Sequence, residues 1–422
     1  MKVLWLTNKI LPQVDKARGK DSIVVNEGWI SQMFDQITSD SRYRMRVVCM
    51  GSNEDQIGSA RNFDWRVIKA GLSEELNYSE TIECKLVNTL KEFQPEVIHI
   101  WGSEYPHTLA MVNAAISTGL IDRVVISLQG IMYMCATHYL NGVPPEIINK
   151  RTFYDIVRHN SLKNQQKRFE KRGEYEMEAI MKVKHVIGRT VWDRYSVERI
   201  NPNLIYHHCN ETLREPFYRG SWKYSACKKH SIFMSQATYP IKGMHYFLRS
   251  LPKLIERYPD LVINIAGNDI TKTNSFVDKL KISSYGLYLK RMIEKNGLGK
   301  HFNFLGRLDA IQMKEQYLSA NVFVSPSLIE NSPNSVGEAM LLGCPVVSSN
   351  VGGVSSIIEH EKEGFTYPVD EFYMLEYYVS KVFDMGEEIE SISYSAKEHA
   401  CITHNPETNL ETLLSIYYEI AK

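Results

Sequence analysis

The sequence predicts an α/β protein built from two doubly wound parallel sheets. Three observations lead there. A chain of 422 residues is too long for one ordinary core and suits two domains of about 200 residues each. Short apolar runs alternate with helical patterns throughout, as in parallel sheets covered on both faces. Those runs fall into two sets, separated by a stretch from Glu211 to Lys229 that has no clear period and carries Pro216 and Gly220.

The first strand candidate is Val3–Leu6, a short apolar run after one lysine and before Thr7 and Asn8. It reads as a buried strand and is too short for the core of a signal peptide. Arg46–Met50, Val97–Trp101, Val124–Leu128 and His185–Ile187 complete the first set. The second set is Ser231–Ser235, Leu261–Ala266, Asn303–Leu305, Val322–Ser325 and Pro345–Ser348. The expected domains are residues 1–212 and 229–395, joined by a linker at 213–228. From about Ser391 to Lys422 the chain reads as helix.

Composition narrows the function classes. Lys plus Arg and Asp plus Glu both number 49, so no global field steers the chain toward nucleic acid. Seven cysteines are scattered without paired spacing, which favours a reducing compartment. No window approaches the ~20 apolar residues that span a bilayer. The expectation is a soluble, cytoplasmic protein.

Ser325 to Gly353 is the most informative stretch. An apolar strand feeds a polar loop, a helix opens near Ser335 and ends at Gly343, and a second strand follows. Free N–H groups and the positive dipole end at such a helix start seat a phosphate or pyrophosphate. Glu330 and Glu338, separated by seven residues, flank that seat. One carboxylate reaches ribose hydroxyls and the other the group beyond the phosphates, so the expected ligand is a nucleotide sugar.

Glu-x7-Glu followed by Ala-Met, Gly-x-Pro-Val-Val and Gly-Gly resembles the retaining glycosyltransferases of family 4. Tyr239-Pro-Ile-Lys-Gly243 is similar to that family's Lys-Gly signature, and Phe304-Leu-Gly-Arg307 to its Phe-Leu-Gly loop. The resemblance covers most of the C-terminal half and is diffuse before it. It implies the GT-B fold, with two Rossmann-like domains facing across a cleft, an N-terminal one for the acceptor and a C-terminal one for the donor. It also implies that a helix at about 396–422 packs back on the first domain, that the reaction is metal-independent, and that no cofactor is needed beyond the donor.

By the same resemblance Glu338 clamps the ribose and Glu330 faces the transferred sugar. Ser332, Asn334 and Ser335 cradle phosphate and sugar, and Lys242 stabilises the leaving diphosphate. Gly306 and Arg307 are expected to read the base. Two departures matter here. Pro333 lacks the N–H that a glycine would supply there. Gln236, expected in the donor site, stands where the family has an arginine; either Arg307 or Arg189 substitutes as the cation, or the diphosphate is bound more weakly. The competing readings are an N-terminal helix acid for Glu338, a loop cap for Glu330, a solvated lysine for Lys242 and simple turn geometry for Gly306.

In the first half, Gln129 occupies the position of a family histidine over the reaction centre. Glutamine bonds a sugar hydroxyl but cannot titrate, so it shuttles no proton. The resemblance implies front-face attack, with the leaving phosphate helping to take the acceptor proton. Gly19, in the loop Gln13 to Ser22, Trp101 and Arg189 are acceptor-side candidates, with core packing the alternative for Trp101. His207-His208-Cys209 reads as structural, since neighbours on an extended segment point opposite ways; no metal site is expected. Residues 150–172 are basic and partly amphipathic, either a solvated face or a dock for anionic lipid.

The expected function is transfer of a hexose-type unit from a nucleotide sugar to a saccharide or lipid-linked acceptor, by analogy in cell-surface polysaccharide assembly. A sugar phosphorylase, a soluble-disaccharide synthase and a non-catalytic nucleotide-sugar-binding protein are the alternatives. The last is permitted by Gln129 and Gln236.

Overall fold

The computed structural model describes residues 1–20, 28–51 and 54–422, residues 28 and 29 by backbone alone. The chain forms two compact units. One is Met1–Met134 with Arg168–Arg214 and His404–Lys422; the other is Cys135–Lys167 with Glu215–Thr403.

The first unit holds β1 (Lys2–Thr7), β2 (Arg44–Gly51), β3 (Gln56–Ser59), β4 (Phe63–Lys69), β5 (Val97–Trp101), β6 (Val124–Ser127), β7 (His185–Gly188) and β8 (Ile205–His208). They form one sheet in the order β3-β4-β2-β1-β5-β6-β7-β8, parallel throughout except the β3–β4 pair. The second unit holds β9 (Lys228–Met234), β10 (Val262–Ile265), β11 (Phe302–Phe304), β12 (Ala320–Ser325), β13 (Val346–Ser349) and β14 (Phe365–Tyr367). Their order is β11-β10-β9-β12-β13-β14, all parallel. Both sheets are doubly wound, as the alternating pattern predicts. Strand order reverses between β1 and β5 in the first and between β9 and β12 in the second. Ligands in open α/β sheets bind outside the strand C-termini at such switch points.

The boundaries differ from expectation in three places. Cys135–Lys167, expected in the first domain, belongs to the second unit. Its polar groups are satisfied there: Asp155 Oδ2 accepts from Ser284 N at 2.9 Å, and His245 Nε2 bonds Asn141 O at 2.9 Å. The expected linker at 213–228 is not loose. Phe217 and Trp222 are buried, and Trp222 donates from N to Leu342 O and from Nε1 to Ala320 O, each at 2.7 Å. Two large rings recover more by burial than a free linker would keep in entropy.

The single C-terminal helix expected is two, Ile389–Thr403 and Pro406–Ile420. Pro406 cannot continue the first, and Asn405 caps the second by accepting from Glu407 N and Thr408 N. Only the second belongs to the first unit, so the chain returns at His404 rather than near 396. There Tyr417 accepts from Trp5 Nε1 at 2.9 Å and donates to His99 Nδ1 at 2.5 Å, while His99 Nε2 donates to Ser127 Oγ at 2.7 Å. Burial lowers the His99 pKa to about 3, which keeps the ring in this neutral tautomer.

Candidate functional site

The site in the second unit is built from two connections at its switch point, one leaving β9 and one leaving β12. After β9 the chain makes a single 3-10 turn, Pro240–Lys242, closed by Gly243 at φ 68°. A Cβ on Gly243 would lie 1.7 Å from Pro326 O, so only glycine allows the turn to rest on the loop after β12. Leu328 N then donates to Ile241 O at 2.7 Å. From the other side Ser349 Oγ, at the end of β13, donates to Ser327 O at 2.5 Å, and Gly353 N to Glu330 O at 3.0 Å. Gly352, at φ 55°, leaves no room for a Cβ, which would meet Glu330 O at 2.0 Å. The Gly-Gly pair thus holds the backbone of Glu330.

This scaffold brings Lys242 and Glu330 together. Lys242 Nζ lies 2.5 Å from Glu330 Oε1, and Ser327 Oγ donates to the same oxygen at 2.7 Å. Both side chains are largely shielded, at 20% and 16% exposure. Burial works against the ammonium, but the Glu330 carboxylate and Tyr239 outweigh it and hold Lys242 above the ordinary lysine range. In the free protein the carboxylate expected near the sugar and the cation expected near the diphosphate therefore satisfy each other.

The helix Asn334–Leu342 begins directly after this loop and ends at Gly343, at φ 74°. Pro333 is its N-cap and makes no side-chain cap; its carbonyl accepts from Val336 N at 2.9 Å. The N–H groups of Asn334 and Ser335 meet no acceptor among the described residues. Ser332, Asn334 and Ser335 are half-buried beside them. Glu338 is 4% exposed, with Oε2 3.4 Å from Tyr317 OH, whose other acceptor within reach is Ser335 O at 3.0 Å. A solvated helix acid is not what the structure holds. Phe217, Phe233 and Phe323 pack around the Tyr317 ring at 4.9–5.8 Å and fix it.

Gly306 and Arg307 follow β11. Gly306 has φ 72° and accepts from Gly267 N at 2.7 Å, and Arg307 is exposed. Gln236 is exposed after β9, with Nε2 3.3 Å from Thr238 Oγ1. Of the two substitute cations named from sequence, Arg189 lies in the first unit, in a buried ion pair with Glu211. Its second nitrogen donates to Leu128 O at 2.9 Å. Gln129 donates to the same Glu211. Arg189, Glu211 and Leu128, with Trp101 and Thr212, border a small pocket at the C-terminal ends of β5 to β8.

Two acceptor-side candidates have structural work. Trp101 is 6% exposed and stacks on His99 with centroids 4.0 Å apart. Gly19 does not lie in an open loop from Gln13: Pro12–Ala17 is helical, and Gly19, at φ 70°, follows its end. The end of that stretch, at Ser22, lies outside the described residues. His207 is tied to His185 at 3.0 Å, and no group of three or more potential metal ligands occurs among the described residues.

Sequence reasoning missed a buried acid at the first switch point. Glu176 is 1% exposed; Oε2 accepts from Met132 N at 2.7 Å and Oε1 lies 2.5 Å from Ser103 Oγ. Ser103 Oγ is also 3.2 Å from Gly130 O. One hydroxyl proton cannot serve both acceptors, so a protonated Glu176 donating to Ser103 satisfies all three. Burial pushes its pKa to about 8, in agreement. Beside it Glu104 accepts from Asn8 Nδ2 at 3.3 Å and is raised by burial, while Arg172 lies over the Tyr105 ring at 4.3 Å.

With this geometry in view, the comparisons with known proteins fall on the same elements. Residues 223–399 match the family described as Glycosyl transferases group 1. An uncharacterized glycosyltransferase of Methanocaldococcus jannaschii is 32% identical over 142 residues, 33% of this chain and 32% of that protein. The chain spans about a third of the length of that relative. Sucrose-phosphate synthase from Thermosynechococcus elongatus superposes with TM-score 0.71 at 13% identity, covering 100% of this chain and 99% of that one. HepE from Anabaena, solved in complex with UDP-glucose, gives TM-score 0.64 at 15% identity, with 99% and 100% covered. The fold is GT-B, and the stretch that matches the group 1 glycosyl transferases carries the Lys242–Glu330 pair and the helix of Glu338.

Proposed function

We propose that the protein is a retaining hexosyltransferase that moves a sugar from a nucleotide-sugar donor to a saccharide or lipid-linked acceptor, in cell-surface polysaccharide assembly at the cytoplasmic face of a membrane. One observation carries the reading: Lys242 and Glu330 meet at the switch point of the second sheet, at the foot of the helix that holds Glu338. The donor diphosphate takes the N–H groups of Asn334 and Ser335 and draws the Lys242 ammonium away from Glu330. Glu330 is then released to accept hydroxyls of the transferred sugar, and Glu338 accepts from the ribose. Gly306 and exposed Arg307 border the base.

The acceptor hydroxyl attacks the anomeric carbon on the face from which the nucleoside diphosphate departs. The bond from that carbon to the phosphate oxygen breaks, the new glycosidic bond forms, and the acceptor proton passes to the departing diphosphate. Configuration is retained. Lys242 supplies the countercharge as the leaving group develops its own, so no metal ion is required. Gln129 holds a sugar hydroxyl without taking a proton.

Thermal shift against a panel of nucleotide sugars tests the reading, with UDP-glucose first because HepE was solved with it. Glu338→Ala is expected to lose the shift. Lys242→Met is expected to keep most of it while turnover falls about 10²-fold or more. Parent-like binding and turnover in both variants would sink the assignment.

A further inference from the structure

Two short helices distant in sequence, Phe153–Val157 and Phe276–Lys281, pack against each other in the second unit. Each opens with a capping box, built by Thr152 with Asp155 and by Ser275 with Asp278. Each turns its large apolar residues outward. Phe153 is 60% exposed, Ile156 59% and Val157 57%; Phe276 is 75% exposed, Val277 52% and Leu280 38%. Scattered exposed leucines need no explanation, but six large apolar side chains on neighbouring helices do.

The charge around them has one sign. Residues 150–163 and 272–281 hold seven lysines and arginines against two acids, Asp155 and Asp278. Both acids are occupied internally: Asp155 is buried and bonded to Thr152 N and Ser284 N, and Asp278 caps its own helix. The cations Arg151, Arg158, Lys163, Lys272, Lys279 and Lys281 are exposed, and among the described residues no ion pair closes on them, although Lys272 and Lys281 lie in the field of Asp278. Further along the basic run, Lys171 and Arg172 belong to the first unit, where they bond Asn77 and the backbone of Glu104.

We propose that this patch is an interfacial dock for an anionic lipid surface. The apolar side chains enter the boundary of headgroups and acyl chains, and the ring of cations meets the lipid phosphates. A second copy of this chain fits less well. A twofold contact would set the patch against itself, with unpaired cations facing cations. The surface differs from the basic run read in sequence, since half of it comes from 272–281.

Co-sedimentation with phosphatidylcholine vesicles, with and without phosphatidylglycerol, tests the proposal on the full chain. Binding should require the anionic lipid and weaken in high salt. Arg158→Ala with Lys279→Ala should lower vesicle affinity about 25-fold, at about 1 kcal/mol per cation. Phe153→Ser with Phe276→Ser should also release the protein. All four residues are exposed, so the variants should melt like the parent. Equal binding to neutral vesicles, or parent-like binding by both double variants, would overturn the proposal. So would a dimer in sedimentation equilibrium that the Phe153→Ser, Phe276→Ser variant dissolves. Vesicle binding is read without turnover, so this proposal and the transferase reading fail separately.

Discussion

Replacing Gly243 by alanine tests the close approach on which the second-unit site is built. Gly243 lies at φ +68°, and a Cβ there would sit 1.7 Å from Pro326 O. Gly297 offers a matched control, at φ +63° with nothing within 4 Å of its Cβ. Gly297→Ala incurs only the left-handed backbone penalty, about 1 kcal/mol. Gly243→Ala adds the displacement of a packed carbonyl, at about 2 kcal/mol more. At about 2–4 °C per kcal/mol for units of this size, calorimetry should place the two Tm values roughly 4–8 °C apart, with Gly243→Ala the lower. Pro326 can yield only by moving the loop that carries Glu330, because Leu328 N is bonded to Ile241 O at 2.7 Å. The nucleotide-sugar thermal shift should therefore shrink in Gly243→Ala and persist in Gly297→Ala. Equal losses of Tm would refute the argument, since the two positions share a left-handed φ and part in what their Cβ would touch.

Two other predictions rest on buried groups of the first unit. Burial raises the Glu176 pKa from 4.5 to about 8, so its contribution is fully present below pH 4.5 and is lost as pH rises through about 8. Glu176→Gln keeps a donor for Ser103 and an acceptor for Met132 N. Its stability relative to the parent should climb by about 1.4 kcal/mol per pH unit across that window, read from Tm of both proteins against pH. A flat difference would show that Glu176 is ionised in the fold. Tyr417→Phe strands Trp5 Nε1 and His99 Nδ1 and should destabilise by about 2–4 kcal/mol. Tyr418→Phe, at a residue 46% exposed whose hydroxyl accepts from Tyr43 OH at 3.0 Å, should cost about 1 kcal/mol, and similar melts for the two would count against the buried triad.

Much of the sheet architecture was legible because strands covered on both faces are continuous apolar runs. The strands that sequence reading passed over lack that mark. In β4 the run Phe-Asp-Trp-Arg-Val-Ile-Lys alternates with charge, and Asp64 is needed to pair Arg46 on the neighbouring strand at 3.2 Å. Edge strand β8 reads Ile-Tyr-His-His and is half exposed, and β14 has only three residues. In the site, Lys242, Glu330 and Glu338 each follow from local motifs, yet the ion pair joining the first two spans 88 residues. It becomes visible only once β9 and β12 are neighbours. Arg189 read as a free cation because its partner, Glu211, stood in what looked like a linker. Glu176 sits among charged residues of the helix Leu162–Lys182 and reads as solvated. Its one signal was spacing, three and four residues before Ala179 and Ile180, which are wholly buried.

The helix Pro406–Ile420 has a consequence for how the protein is made. Leu413, Ile416, Tyr417 and Ile420 join Val3, Trp5 and Phe34 in one core, and the Trp5–Tyr417 bond closes across 412 residues. A ribosome delivers the strands of that sheet early and the helix that covers it late, after everything between residues 215 and 403 has emerged. Strands delivered early are thus sealed late, with an oily face bare in the meantime and open to wrong partners. Expressing residues 1–214 by themselves would freeze that unfinished stage, and supplying the helix in trans should rescue it.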